Sequence, residues 1–218
     1  MKKLFVLFFL ILGLVNTSIP ASGLALRSTE ALDDAQAVLE YLIERNEAYA
    51  YFGKNEGDIS RARREDTALN GQFPYAIIVT CSDSRVSPEH IFGAGIGELF
   101  VIRTAGNVLD DFALGSVEYG AEHLGARVVL VLGHTGCGAV EAALAGSAHG
   151  YIKAITDEIA GGLWEGCSAE QAEILNVTNS MVRIRESELI KSLEANGSVL
   201  IQGALYDTFN GLVEYVGE

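Results

Sequence analysis

Two short segments carry side chains that bind metals and handle protons: Cys81-Ser82-Asp83-Ser84-Arg85 and Gly133-His134-Thr135-Gly136-Cys137-Gly138. Two thiolates and an imidazole form a natural Zn²⁺ donor set, and three protein ligands leave a fourth position for water. The glycines around the second segment let the backbone turn sharply, so that His134 and Cys137 can face one ion. Asp83 and Arg85 stand two and four residues after the first cysteine. Buried unpaired, either would be costly; bonded to each other beside a metal, they can orient what binds there. On these residues alone, two other readings stay open. Buried cysteine also serves as a small hydrophobe in strands, and Cys81 with Cys137 could form a disulfide in an oxidising compartment.

The elements that must position these groups follow from hydrophobic periodicity. Tyr75 to Thr80, Glu98 to Arg103, Arg127 to Gly133 and Ser198 to Gln202 are short runs rich in β-branched residues. Near-continuous apolar strands imply burial on both faces and hence a parallel sheet. The segments Phe112 to Leu124, Gly138 to Ala148 and Ala169 to Glu194 are long enough for crossover helices. Thr29 to Phe52 reads as a further helix at the N-terminal end, with Leu32, Val38, Leu39, Leu42 and Ile43 at helical spacings. Gly53 to Gly71 is polar and is expected to wind over the surface. The fold class is therefore α/β, with a central, mostly parallel sheet flanked by helices and a protruding N-terminal helix. In such a sheet, ligands gather beyond the carboxyl ends of the strands where strand order reverses. Cys81 and His134 both stand at such ends.

Of 218 residues, 49% are apolar and 20% charged, which excludes a disordered or low-complexity chain. A formal charge of −14 would repel phosphate backbones, so nucleic acid is not an expected partner. Three cysteines cannot staple a secreted scaffold of this length. Residues 1–25 have the order of a secretory signal peptide: Lys2-Lys3, an apolar run from Leu4 to Val15, then a small polar tail. That run spans roughly 18 Å as a helix, short of the ~30 Å hydrocarbon core. Cleavage is expected after Ala25, with Ala21 the alternative. Residues 26–218 are then expected to form one domain of a periplasmic or secreted protein with no remaining membrane segment.

The two metal-binding segments, together with Val86-Ser-Pro-Glu-His-Ile-Phe92, Leu99-Phe-Val-Ile-Arg-Thr-Ala-Gly-Asn107, Gly115-Ser-Val-Glu-Tyr119 and Gly203-Ala-Leu-Tyr-Asp-Thr-Phe-Asn-Gly211, resemble the β-class carbonic anhydrases. The similarity runs from about Leu32 to Val216. It implies zinc-dependent, reversible hydration of carbon dioxide to bicarbonate and a proton, by attack of zinc-bound hydroxide. By the same resemblance Cys81, His134 and Cys137 hold one Zn²⁺ per chain, and Asp83 with Arg85 forms the catalytic dyad. Gln72 matches a substrate-side glutamine, and Gly138 follows the last ligand as the family pattern expects. Phe100 and Tyr119 match apolar pocket positions, Tyr119 being contributed by the second subunit of a homodimer or tetramer. The helix face from Leu32 to Tyr51 is expected to be buried against that partner. Ile78 departs from the subgroup that carries tryptophan there and a bicarbonate-inhibition site. Two thiolates cancel the metal's formal charge, so activity should rise toward alkaline pH.

The remaining polar residues have plainer readings. His90 and His123 fall on predicted helices and, with His149, read as packing or surface groups rather than proton shuttles. Cys167 reads as a free thiol, Glu118 as a helix surface charge, and Glu186, Glu188 and Glu194 as a solvated face. Carbon disulfide or carbonyl sulfide hydrolysis would use the same ligands, and a purely structural zinc site would need a fourth protein ligand near Cys81 or His134.

Overall fold

Strands β1 (Ala76–Cys81), β2 (Leu99–Thr104), β3 (Val128–His134), β4 (Leu200–Tyr206) and β5 (Val213–Val216) form one sheet in the order β2-β1-β3-β4-β5. The computed structural model describes residues 34–217 together with Leu32, so the signal segment expected at 1–25 lies outside the described residues. The first four strands run parallel and β5 closes the edge antiparallel to β4. Every residue of β1 and β3 is buried, as their near-continuous apolar sequence leads one to expect. The chain leaves β1 toward β2 on one side and then crosses to β3 on the other. Strand order therefore reverses between β1 and β3, the place where such sheets open a crevice at their carboxyl ends.

Helices cover both faces. They are α1 (Ala35–Phe52), α2 (Arg61–Asn70), α3 (Pro88–Ile91), α4 (Asp111–Glu122), α5 (Gly138–Ala145), α6 (Ile152–Gly161), α7 (Ala169–Ile184) and α8 (Glu188–Ala195). Alternate strand residues feed two cores. Ala76, Ile78, Leu130 and Leu132 pack with Val38, Tyr41 and Leu42 of α1. Ile77, Val79, Val129 and Val131 pack with Val117 of α4, Val177 and Ile184 of α7 and Ile190 of α8.

Several expectations change. The N-terminal helix does not protrude: its apolar face lies on this chain's own sheet, with Val38 and Leu42 fully buried there. Long-range hydrogen bonds fix it. Asn46 donates to Gly211 O at 2.9 Å and accepts from Val213 N at 2.8 Å, and Tyr215 donates to Leu39 O at 2.7 Å. Only its end carries large exposed aromatics, Tyr51 and Phe52. The polar stretch 53–71 contains α2, a helix with no buried residue. It is held by a Ser60 cap, an Arg61–Glu65 pair at 2.7 Å and Arg63 Nε reaching Ile96 O at 2.8 Å, so no apolar period announced it. The long helical stretch 169–194 is two helices, because Ser187 caps α8 by accepting from Ile190 N. The Ser187 hydroxyl also donates to Glu118, which ties α4 to α8 and is only half exposed.

Candidate metal centre

Parallel pairing of β1 with β3 brings the two chemical segments to one level at the top of the sheet. Cys81 ends β1 and His134 ends β3; Cys137 follows a turn in which Gly136 takes a left-handed φ of 66°. The donor atoms of Cys81, His134 and Cys137 all lie within 4.8 Å of one another, and all three residues are buried. No described disulfide joins the cysteines.

The histidine is oriented for ligation. Its Nδ1 sits 3.1 Å from Thr135 O, a carbonyl that can only accept, so Nδ1 carries the hydrogen. Nε2 is left with a lone pair, buried and without a hydrogen-bond partner. A buried polar atom without a partner is rare, and here it faces two sulfurs. The sulfurs are prepared as well. Cys81 Sγ accepts from Gly106 N at 3.2 Å and Asp83 N at 3.4 Å. Interaction with the Cys137 thiol, opposed by burial and aided by His134 and those two amides, brings Cys81 down to about 4. The same interaction with Cys81, together with burial, pushes Cys137 up. Of the two thiols Cys81 is thus the readier to ionise, and a metal held here would need both as thiolates. Burial pulls the His134 imidazole down, but the Cys81 sulfur, the Thr135 carbonyl and the Asp83 carboxylate outweigh it and leave it raised.

Asp83 and Arg85 sit on the rim. Arg85 donates from Nε to Oδ1 at 3.0 Å, from Nη2 to Oδ2 at 2.8 Å and from its backbone N to Oδ1 at 2.9 Å. These bonds hold the Asp83 carboxyl well below the usual carboxylate range. Asp83 Oδ2 lies 3.9 Å from His134 Nε2, so the carboxylate borders the donor set. Arg103 clamps the turn by donating to Cys81 O at 3.2 Å and Asp83 O at 2.8 Å, a role not visible before the fold was known.

The donor set and the sheet order agree with a family model described as carbonic anhydrase, which matches residues 76–213. The chain belongs to the β-class carbonic anhydrases. Carbonic anhydrase 2 of Mycobacterium tuberculosis is 38% identical over 152 residues, covering 65% of this chain and 73% of that relative. The Coccomyxa β-carbonic anhydrase, solved with acetazolamide, superposes with a TM-score of 0.62 at 28% identity over 82% of this chain and 86% of that one. A tetrameric β-carbonic anhydrase of Sordaria macrospora shares the fold, with a TM-score of 0.64 at 22% identity over 83% of this chain and 98% of that one.

Within one chain of this carbonic anhydrase, Phe100 and Tyr119 stand apart from the donor set, while Gly138 adjoins it. Phe100 pairs with Ile77, four residues before the Cys81–Thr104 level, which is about 13 Å at the usual strand rise. Its ring lies 6.1 Å from that of Tyr119, which is exposed and tilted 42° to the His123 ring at 5.3 Å. Gln72 is exposed ahead of β1, while Gly138 opens α5 directly after Cys137. Cys167 is buried in the same small cluster as Cys81 and Cys137 but lies outside the donor group. His90 is exposed and bonds Asn55, and His149 is exposed. Glu186, Glu188 and Glu194 pair with Arg183, Lys191 and Arg185, so this face is ion-paired rather than merely solvated.

Proposed function

We propose that this β-class carbonic anhydrase hydrates carbon dioxide reversibly to bicarbonate and a proton at one zinc ion held by Cys81, His134 and Cys137. The observation that carries the reading is the buried, partnerless Nε2 of His134 beside two buried sulfurs. When bound, zinc supplies a Lewis acid that makes water nucleophilic near neutral pH. Asp83, ionised and acceptor-only, would accept a hydrogen bond from the nucleophilic oxygen and so turn that oxygen's lone pair toward the substrate carbon. Arg85 fixes that carboxylate in two-pronged geometry. Three protein ligands with a charged pair at the open position suit catalysis better than a closed structural site.

Gln72, Phe100 and Tyr119 complete the pocket in a homodimer or tetramer, where a second subunit supplies what one chain leaves distant. The exposed Tyr119 and the half-buried Phe100 support this arrangement, as does the tetrameric state of the Sordaria relative. Gln72 donates to the developing negative oxygen, and Gly138 keeps the backbone beside Cys137 free of a side chain. Residues 1–25 direct the chain to the periplasm or outside the cell; among the described residues no helix is long and apolar enough to cross a membrane.

The test is stopped-flow hydration of carbon dioxide by the zinc-loaded protein, with carbon disulfide hydrolysis as a second substrate and acetazolamide, bound by the Coccomyxa relative, as inhibitor. Fast, acetazolamide-sensitive hydration with slow carbon disulfide turnover is expected. No hydration by protein holding one zinc per chain would overturn the reading.

A further inference from the structure

The helix α7 carries three buried polar residues, Glu173, Asn176 and Ser180, at spacings of three and four that put them on one face. Burying polar side chains is costly unless each finds a partner, and the adjacent buried positions Ala172, Val177 and Ile184 are apolar as expected. Every one of the three polar residues is spent on a loop of the metal centre. Glu173 Oε1 accepts from Gly136 N at 2.7 Å and from Cys137 N at 3.2 Å. Asn176 Nδ2 donates to Gly106 O at 2.7 Å and to Asn107 Oδ1 at 3.2 Å. The Ser180 hydroxyl donates to Asn107 O at 3.0 Å and accepts from Asn107 Nδ2 at 3.1 Å.

These contacts hold backbone that would not hold itself. Asn107 has a φ of 49° and Gly106 one of 70°, a left-handed pair that needs external bonds. The Gly106 N–H that results points at Cys81 Sγ. On the other loop, Gly136 at φ 66° turns two successive amides toward one point, the backbone nest that captures a carboxylate. Among the described residues Glu173 has no cationic partner, so these amides are what keep it buried. One rigid helix therefore reaches both the loop that carries Cys137 and the turn whose Gly106 N–H bonds Cys81 Sγ.

We propose that α7 sets the spacing of the two thiolates, with Glu173 as the positioning residue that presents Cys137 to the metal and Asn176 its counterpart for Cys81. The inference rests on the three-donor set being a zinc site. Glu173 acts by the place of its acceptor oxygen. Glutamine offers an acceptor at the same reach, aspartate withdraws it by one methylene, and alanine leaves two buried N–H groups unpaired.

The experiment uses full-length zinc-loaded protein and its Glu173→Ala, Glu173→Asp, Glu173→Gln and Asn176→Ala variants, with far-UV circular dichroism as the check on folding. Zinc transfer to excess 4-(2-pyridylazo)resorcinol reads metal retention, and the thiolate-to-cobalt charge-transfer band of Co²⁺-substituted protein reads ligand geometry. Loss of such supporting bonds costs roughly 10–100-fold in metal affinity, so Glu173→Ala and Glu173→Asp are expected to release zinc faster by that order, with an altered cobalt spectrum. Asn176→Ala should move in the same direction, and Glu173→Gln should stay within a few-fold of wild type. If Glu173→Ala fails to fold, the Asp and Gln variants carry the comparison. Wild-type retention in both Glu173→Asp and Asn176→Ala would overturn the proposal, as would a glutamine variant as leaky as the aspartate one. A wild-type chain that holds no zinc would instead sink the metal-site reading on which the proposal stands.

Discussion

Arg85→Ala removes the two guanidinium bonds to Asp83 and leaves only the backbone N–H on Oδ1 at 2.9 Å. Arg85 is 54% exposed, so solvent screens much of the lost attraction. The pair therefore adds little to stability compared with a buried pair. Activity should respond far more than stability. Asp83 Oδ2 stands 3.9 Å from His134 Nε2, and a carboxylate released from its arginine can turn onto the donor set and compete with water for the open position. Misplacement of a catalytic group by about 1 Å costs on the order of 10²-fold, so kcat/KM should fall by that order at neutral pH. The loss should be smaller near pH 9, where hydroxide competes better.

The sign of the Asp83 shift separates geometry from protonation. Arg85 lowers the folded pKa, so the stabilising contribution is present above the unfolded value of about 4 and is lost as pH falls through the folded one. Without Arg85 the value rises toward that ordinary range, still well below neutrality. Asp83 is thus ionised between about pH 6.5 and 9 in both proteins, and any difference there reports where the carboxylate points. Stopped-flow hydration across that range, with Arg85→Lys alongside, is the assay. Lysine keeps the charge without the two-pronged fork and should recover only part of the rate. An Arg85→Ala rate equal to wild type throughout the range would refute the assigned role of the pair.

Cys81→Ser, His134→Ala and Cys137→Ser should each lower bound zinc far below one per chain and abolish hydration, as read by elemental analysis and stopped-flow. Metal-stripped protein treated with diamide should lose both thiols as a Cys81–Cys137 disulfide, with diamide reduced to its hydrazine, while zinc-loaded protein resists; thiol counting before and after dithiothreitol checks it. In Gly106→Ala the new Cβ would lie 2.8 Å from Ile159 Cδ1 and 2.9 Å from Ala139 Cβ at a φ of 70°. Left-handed strain of about 1–2 kcal/mol and overpacking of about 1–3 kcal/mol should lower urea stability by roughly 2–5 kcal/mol. Leu42→Ala should cost about 2–5 kcal/mol without changing oligomer mass in sedimentation, because Leu42 is buried on its own sheet; dissociation would place that helix face at a subunit boundary.

What was legible in the sequence is what local chemistry writes locally. The apolar runs of β1 and β3 announce strands buried on both faces, and the two short segments that end them hold all three donors and the Asp83–Arg85 pair. Ligand type and spacing within each segment needed no tertiary information. Helices α4 and α7 were legible only as stretches long enough to cross over between parallel strands, and α7 was read as one helix with α8. Other features lack any such imprint. Helix α2 buries nothing and is held by its Ser60 cap, its ion pairs and the Arg63 bond to Ile96 O. Strand β5 owes its existence to pairing with β4, and α1 owes its place to bonds from Asn46 and Leu39 to residues 211, 213 and 215. Glu173, Asn176, Ser180 and Arg103 read as ordinary polar residues on a helix and a strand until the fold brings their partners, 37, 70, 73 and 20 residues away, within hydrogen-bond reach. The sequence by itself determined which atoms can hold the metal. The tertiary structure alone decided how those atoms are aimed, because aim depends on hydrogen bonds between segments far apart in the chain.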